Sequence, residues 1–108
     1  MLSRSLIALT KDFFQAIRQR SFTEAERALE TMKSKAKATE WYKGYINALE
    51  GMVTSLKTND TYALINQVKA DEVKKLMKEL NEQSKYTFHK EFDRGFFDAW
   101  VDYLETLT

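Results

Sequence analysis

The sequence predicts an all-α protein, and three observations lead to that prediction. Proline is absent and glycine occurs only three times, so the residues that most often interrupt helices are scarce. Apolar residues recur at the spacing of amphipathic helices in several segments, and polar residues that can cap helices separate those segments. We therefore expect an antiparallel helical bundle of about five helices, folded as a single domain over residues 1–108.

The first helix is predicted over about residues 3–20. Its apolar stripe at helical spacing consists of Leu2, Leu6, Leu9, Phe13 and Ile17. Ile7 and Phe14 flank this stripe and widen it to a broad apolar arc. Arg4, Lys11 and Arg18 recur a heptad apart on another face.

The second and third helices follow after short polar breaks. Ser21 and Glu24 have the spacing of a capping box, which predicts that a helix begins at about residue 22 and continues to 37. Its buried stripe is Phe22, Ala25, Ala28, Leu29 and Met32. Thr39 can cap the third helix, which is predicted over about 40–57.

The last part of the chain contains one ambiguous segment and two further helices. Residues 59–70 fit both a short helix and an extended loop. A fourth helix over about 71–83 is predicted from Val73, Leu76, Met77 and Leu80. A fifth helix over about 88–107 is predicted from Phe92, Phe96, Ala99, Tyr103 and Leu107.

The third and fifth helices resemble each other in sequence. A shift of 51 residues aligns Glu40 with Glu91 and brings one glycine, one alanine and one leucine of each segment into register. We interpret this as an internal repeat of two helical hairpins, over about 21–57 and 70–108, preceded by the helix at 3–20. Chance similarity between two aromatic amphipathic helices is the alternative.

The repeated glycines predict a helix crossing. A glycine inside a helix costs about 1 kcal/mol relative to alanine, so its use at equivalent positions indicates that the missing side chain matters. Gly44 and Ala48 are four residues apart, as are Gly95 and Ala99, and small residues at this spacing let another helix backbone approach closely. These four residues are the candidate contact between the two repeated helices.

The segments EWYKGYINALEGM and EFDRGFFDAWVDYL resemble parts of small helical archaeal proteins of unassigned function. The resemblance covers these two helices and contains no catalytic motif, so it carries no site residue over to this chain. It implies a cytoplasmic protein.

Few residues in the sequence indicate catalysis or cofactor binding. Cysteine is absent, which excludes disulfides, thiolate metal sites and cysteine nucleophiles. The single histidine, His89, has no partners at metal-ligand spacing, and no glycine-rich phosphate loop is present. Glu40 and Glu91 are expected in first turns, where acidic side chains favour the helix dipole. We expect a protein that is not an enzyme and that uses no cofactor or metal.

The expected location is the cytoplasm. No apolar run approaches the roughly 20 residues of a membrane span, and the N-terminal segment continues directly into a helical pattern rather than a cleavage site. The net charge of +1 gives no general attraction to nucleic acid or to anionic lipid.

A protein–protein interaction module, or a small subunit of a larger complex, is the predicted function. The expected partner is another protein or a second copy of the chain. The candidate interface comprises Ile7, Phe14, Arg4, Lys11 and Arg18. The alternative is that the segment TYALINQV covers this surface in a monomer.

Two further functions are left open by the sequence. The basic first helix is compatible with an accessory protein of DNA or RNA processing, although acidic residues share its surface. A pocket between the hairpins is compatible with small-ligand binding. Asp98, Asp102 and Glu105 form an acidic ridge, which is interpreted either as a solvated face or as a surface for a basic partner.

Overall fold

The computed structural model describes residues 2–59 and 90–107 and, between them, residues 72, 75, 76, 78, 79 and 82. The described part of the chain is all-α and has no strand. Its helices are α1 (Arg4–Arg18), α2 (Phe22–Lys35), α3 (Glu40–Lys57) and α4 (Glu91–Glu105). None of these helices is long and apolar enough to cross a lipid bilayer.

The region between α3 and α4 is only partly described. Within the helix predicted at 71–83, residues 75, 76, 78, 79 and 82 are α-helical and residue 72 has a 3₁₀ conformation, while the remaining residues of that segment lie outside the described ones. Residues 60–70 of the ambiguous segment and His89 also lie outside them.

The helix ends depend on the conformation of the flanking residues. The side chain of Ser3 accepts a hydrogen bond from the backbone N–H of Leu6 at 3.4 Å and caps α1. Thr39 caps α3 as predicted, because its hydroxyl accepts a hydrogen bond from the N–H of Tyr42 at 3.3 Å. Lys90 has an extended backbone, so α4 begins at Glu91 rather than at the predicted residue 88.

The predicted capping box at Ser21 is wrong, since its side chain makes no capping hydrogen bond. The reason is the tight turn after α1, in which Arg20 adopts the left-handed conformation with φ 57°. The N–H of Ser21 then donates to the carbonyl of Ala16 at 2.8 Å, as at many helix C-termini. The guanidinium of Arg20 donates to the carbonyl of Leu56 at 3.4 Å and lies 5.5 Å from the ring centre of Phe22.

Helix α3 is the central element of the core. It packs against α2 on one side and α4 on the other, while α1 packs against α2. The largest fully buried side chains come from all four helices and are Tyr45, Phe13, Ile17, Met32, Leu49, Met52 and Leu104. This arrangement fixes α4 next to α3 and leaves α1 and α4 as the walls of an open groove.

Candidate functional site

Helices α3 and α4 are in backbone contact at two glycines. A β-carbon built on Gly44 would overlap the carbonyl group of Phe92, whose carbon would lie 2.7 Å away. A β-carbon on Gly95 would overlap the carbonyl group of Trp41 in the same way, at 2.8 Å from its carbon. Since both neighbours are backbone groups, neither can move aside as a side chain would. Glycine at each position therefore allows the close approach.

The two contacts are reciprocal. The sequence shift that aligns Gly44 with Gly95 also aligns Trp41 with Phe92. The contact of Gly44 with the carbonyl of Phe92 is therefore the counterpart of the contact of Gly95 with the carbonyl of Trp41. The alanines expected at the crossing, Ala48 and Ala99, are 2% and 0% exposed. First-turn ion pairs also recur in both helices, at 3.2 Å each: Glu40 with Lys43 and Glu91 with Arg94.

Two side-chain hydrogen bonds join the same helices next to the crossing. The indole N–H of Trp41 donates to Oδ2 of Asp98 at 2.9 Å. One turn further along both helices, the hydroxyl of Tyr45 donates to Oδ2 of Asp102 at 2.6 Å. Each bond therefore connects a large aromatic residue of α3 to a carboxylate of α4.

These bonds have no equivalent at the positions that the 51-residue sequence shift matches to them. Phe92 and Phe96 take the places of the two aromatic donors, and neither has a polar atom in its side chain. Asn47 and Gly51 take the places of the two carboxylates. The side of the crossing that carries Asp98 and Asp102 thus differs chemically from the opposite side, although the backbone contacts of the two glycines are nearly equivalent.

An open groove of about 600 Å³ lies between α1 and α4 on this side. Helix α1 contributes Ile7, Thr10, Lys11 and Phe14. Helix α4 contributes Asp98, Val101, Asp102 and Glu105, and Thr106 directly after α4 and Trp41 of α3 also line the groove. Among the residues that the structure describes, the groove combines apolar surface with three carboxylates and one ammonium group. We refer to it as the α1–α4 groove.

The structure separates the residues of the predicted interface. Ile7 is 41% exposed at the groove, whereas Phe14 is only 2% exposed because it packs against the ring of Tyr103 at 5.6 Å. Phe14 therefore belongs to the core beneath the groove and not to a free surface, in contrast to the expectation from the sequence. The guanidinium of Arg18 donates to the carbonyl of Thr106 at 3.0 Å and links the C-terminal ends of α1 and α4.

The remaining basic residues of the predicted interface are accessible. Lys11 is exposed and lines the groove. Arg4 is exposed on α1 but is not part of the groove lining. The structure thus brings Ile7, Lys11 and the acidic ridge of α4 together at one groove, which the sequence treated as two separate surfaces.

Burial controls the protonation of two groups at the groove. Burial raises the pKa of Asp102; the hydrogen bond from Tyr45 opposes this, and the nearby carboxylates of Glu105 and Asp98 reinforce it. Burial, together with the charge of Asp102, raises the pKa of Tyr45, so this phenol stays a donor. The charged form of Asp102 is therefore destabilised by burial, and a nearby cation would reduce this destabilisation.

No metal-binding arrangement of three His, Asp or Glu side chains is present among the residues that the structure describes. Comparison with protein-family models, curated proteins and solved structures finds no match to this chain. The resemblance to small helical archaeal proteins therefore stays a prediction from the sequence.

Proposed function

We propose that this chain is a non-catalytic, cytoplasmic protein-interaction module that binds a partner protein in the α1–α4 groove. The observation that carries the proposal is the exposed Ile7, which borders a groove containing further apolar surface from Val101 and Trp41. Apolar surface surrounded by charged groups is the usual composition of a protein interface, whose core is apolar and whose rim is polar.

The charge of the groove defines the partner further. In the described lining of the groove, the carboxylates of Asp98, Asp102 and Glu105 outnumber the ammonium group of Lys11. A partner segment that carries basic residues beside apolar ones matches both properties. Bringing a cation close to Asp102 also favours its charged form, which burial opposes.

The same charges disfavour nucleic acid as the occupant of the groove. Phosphate groups would be repelled by the acidic wall of α4. In addition, the guanidinium of Arg18 is engaged by the carbonyl of Thr106, so the basic residues of α1 do not form one continuous free stripe.

A small organic cation is the second candidate. The volume of about 600 Å³ falls within the range of roughly 300–1,000 Å³ that is usual for ligand pockets. An aromatic side chain and carboxylates in one groove suit an amine or a guanidinium group. A protein partner would form a photocrosslinked protein adduct, whereas a small cation would not.

Site-specific photocrosslinking tests the proposal. A photoreactive amino acid is placed at position 7 and, as the matched control, at Thr54, which is exposed on α3 away from the groove. In extract of the native cells, we expect a defined protein adduct from position 7 and none from position 54. Excess wild-type protein should abolish the adduct, whereas excess Ile7→Asp protein should not.

Three outcomes contradict the proposal. Equal crosslinking from both positions would indicate non-specific contact. Competition by Ile7→Asp as strong as that by wild type would show that the groove is not the contact surface. Absence of any protein adduct, together with a small cation that shifts the NMR signals of groove residues, would replace the protein partner with the small ligand.

We further propose that α3 and α4 are equivalent elements of two hairpins in a bundle of about five helices. The reciprocal contacts of Gly44 and Gly95 support the repeat, and the helical residues 75, 76, 78, 79 and 82 support the additional helix. Backbone chemical shifts of residues 71–83 test it, and values typical of an extended chain would contradict it.

A further inference from the structure

We propose that the partner in the α1–α4 groove is a second copy of this chain, with α1 of each protomer lying along α4 of the other. Because it uses the same groove, this assignment rests on the proposed function. The partner is identified from two stripes of residues on the surface of one molecule, whose charges are complementary.

The first stripe lies on α1. Arg4, Ile7 and Lys11 are separated by three and four residues, which places them on one face of the helix. All three side chains are exposed. The stripe therefore reads basic, apolar, basic along the helix.

The second stripe lies on α4. Asp98, Val101 and Glu105 have the same separations of three and four residues and all line the groove. This stripe reads acidic, apolar, acidic. Its apolar and charged positions therefore match those of the first stripe one for one, with the opposite sign of charge.

A twofold axis lets both copies use both stripes. In a twofold dimer the same patch serves on each protomer, so every contact between α1 and α4 occurs twice. Ile7 of one protomer packs near Val101 of its partner, and the cations at each end of the first stripe meet carboxylates of the second. A dimer held by the two α1 helices alone would bring Arg4 and Lys11 against like charges without carboxylates to offset them and is disfavoured.

The complementarity also specifies a role for Asp102. This carboxylate lines the groove beside the second stripe, where it accepts the hydrogen bond of Tyr45. An approaching guanidinium or ammonium group adds a cation next to the acidic wall of the groove, which faces Lys11. Dimerisation should consequently weaken as salt concentration rises, because the attraction is between partly exposed charges.

Charge reversal followed by light scattering tests the inference. The wild-type protein is expected to have the mass of a dimer at micromolar concentration. Lys11→Glu and Glu105→Lys should each weaken dimerisation by about tenfold or more, because each creates like-charge contacts at both halves of the interface. The double variant should restore it, because the opposite charges then face each other again.

Matched controls separate charge from folding. Lys35→Glu changes an exposed lysine at the end of α2, outside the groove, and should leave the dimer intact. Circular dichroism should show that all variants retain the helical content of wild type. Ile7→Asp gives an independent check and should yield a monomer.

Several results overturn the inference. A monomeric wild type at all concentrations tested, or a double variant that does not regain the dimer, would exclude the second copy as partner. If the monomeric protein still gives a specific adduct with another protein from position 7, the groove keeps its proposed function and only the identity of the partner changes. A monomer without such an adduct would remove both proposals.

Discussion

The hydroxyl of Tyr45 donates a 2.6 Å hydrogen bond to the carboxylate of Asp102 and thereby joins the buried face of α3 to the wall of the groove. Tyr45 is fully buried, while Asp102 is half-buried and lines the groove. This hydrogen bond therefore couples a change at the groove to the core.

Removing this donor should raise the pKa of Asp102. In Tyr45→Phe, the carboxylate loses the hydrogen bond that favours its charged form, while the burial that disfavours charge remains. We expect the pKa of Asp102, which already lies above its ordinary value of 3.8, to rise further. The variant should also lose about 1–3 kcal/mol of stability, because a partly buried acceptor is left without its donor. NMR titration of the carboxyl carbon measures the pKa, and an unchanged value would contradict the role of Tyr45.

The raised pKa of Asp102 also predicts a pH dependence of stability. Since folding raises this pKa, the group stabilises the fold fully below its unfolded value of about 3.8, and that contribution is lost as pH rises through the folded value. Asp102→Asn removes the ionisation. Relative to wild type, the variant should therefore gain stability between acidic and neutral pH. Urea unfolding of both proteins at the two ends of this range tests the sign, and a relative loss would show that the Tyr45 hydrogen bond outweighs burial.

The helix crossing predicts opposite effects for chemically identical substitutions. Gly44→Ala and Gly95→Ala should each destabilise by about 1–3 kcal/mol or more, because the new methyl group overlaps a backbone carbonyl. Gly51→Ala is the matched control, since no atom in the described part of the chain lies within 4 Å of its added carbon. There the better helix propensity of alanine should stabilise by about 1 kcal/mol. The denaturant midpoints of the three variants measure these changes in stability. Equal shifts of the midpoint for all three would contradict the close contact of α3 and α4.

The turn between α1 and α2 gives a further pair of matched variants. Arg20 has a positive φ of 57°, a conformation that glycine adopts without steric cost. Arg20→Ala loses the contacts with Leu56 and Phe22 and keeps the backbone strain, whereas Arg20→Gly loses the contacts and relieves the strain. The glycine variant should therefore be more stable than the alanine variant by about 1 kcal/mol. Thermal unfolding measures the difference, and the reverse order would contradict the turn geometry.

Local patterns in the sequence predict the helices well, because a helix that buries one face has apolar residues at regular helical spacing. The starts of α2 and α3 follow from this periodicity, and the cap at Thr39 is confirmed by its hydrogen bond to the N–H of Tyr42. The capping box at Ser21 failed because the conformation of Arg20 decides the geometry there. An arginine gives no local signal for a left-handed backbone.

The groove is harder to predict because it depends on how distant helices meet. The sequence places Asp98, Asp102 and Glu105 on one ridge, but it does not reveal that two of them accept hydrogen bonds from α3. The four-residue spacing of Trp41 and Tyr45, which matches that of the two aspartates, is the signal that could have indicated the pairing. The sequence pattern places Phe14 on an open surface, because its contact with the ring of Tyr103 is a long-range property that local spacing does not contain.

Fluorine NMR of the protein labelled with 5-fluorotryptophan tests most directly whether the α1–α4 groove is a docking site. The chain has two tryptophans: Trp41 lines the groove, while Trp100 is 8% exposed and lies outside its lining, so it serves as an internal reference. Spectra of the wild-type protein are compared with those of Arg4→Glu, which reverses an exposed charge of the first stripe outside the groove lining, both in buffer and in native cell extract. We expect the Trp41 signal of the wild type to be shifted or broadened relative to that of Arg4→Glu in buffer or in the extract, while the Trp100 signals coincide. Trp41 signals that coincide under both conditions would contradict docking in the groove.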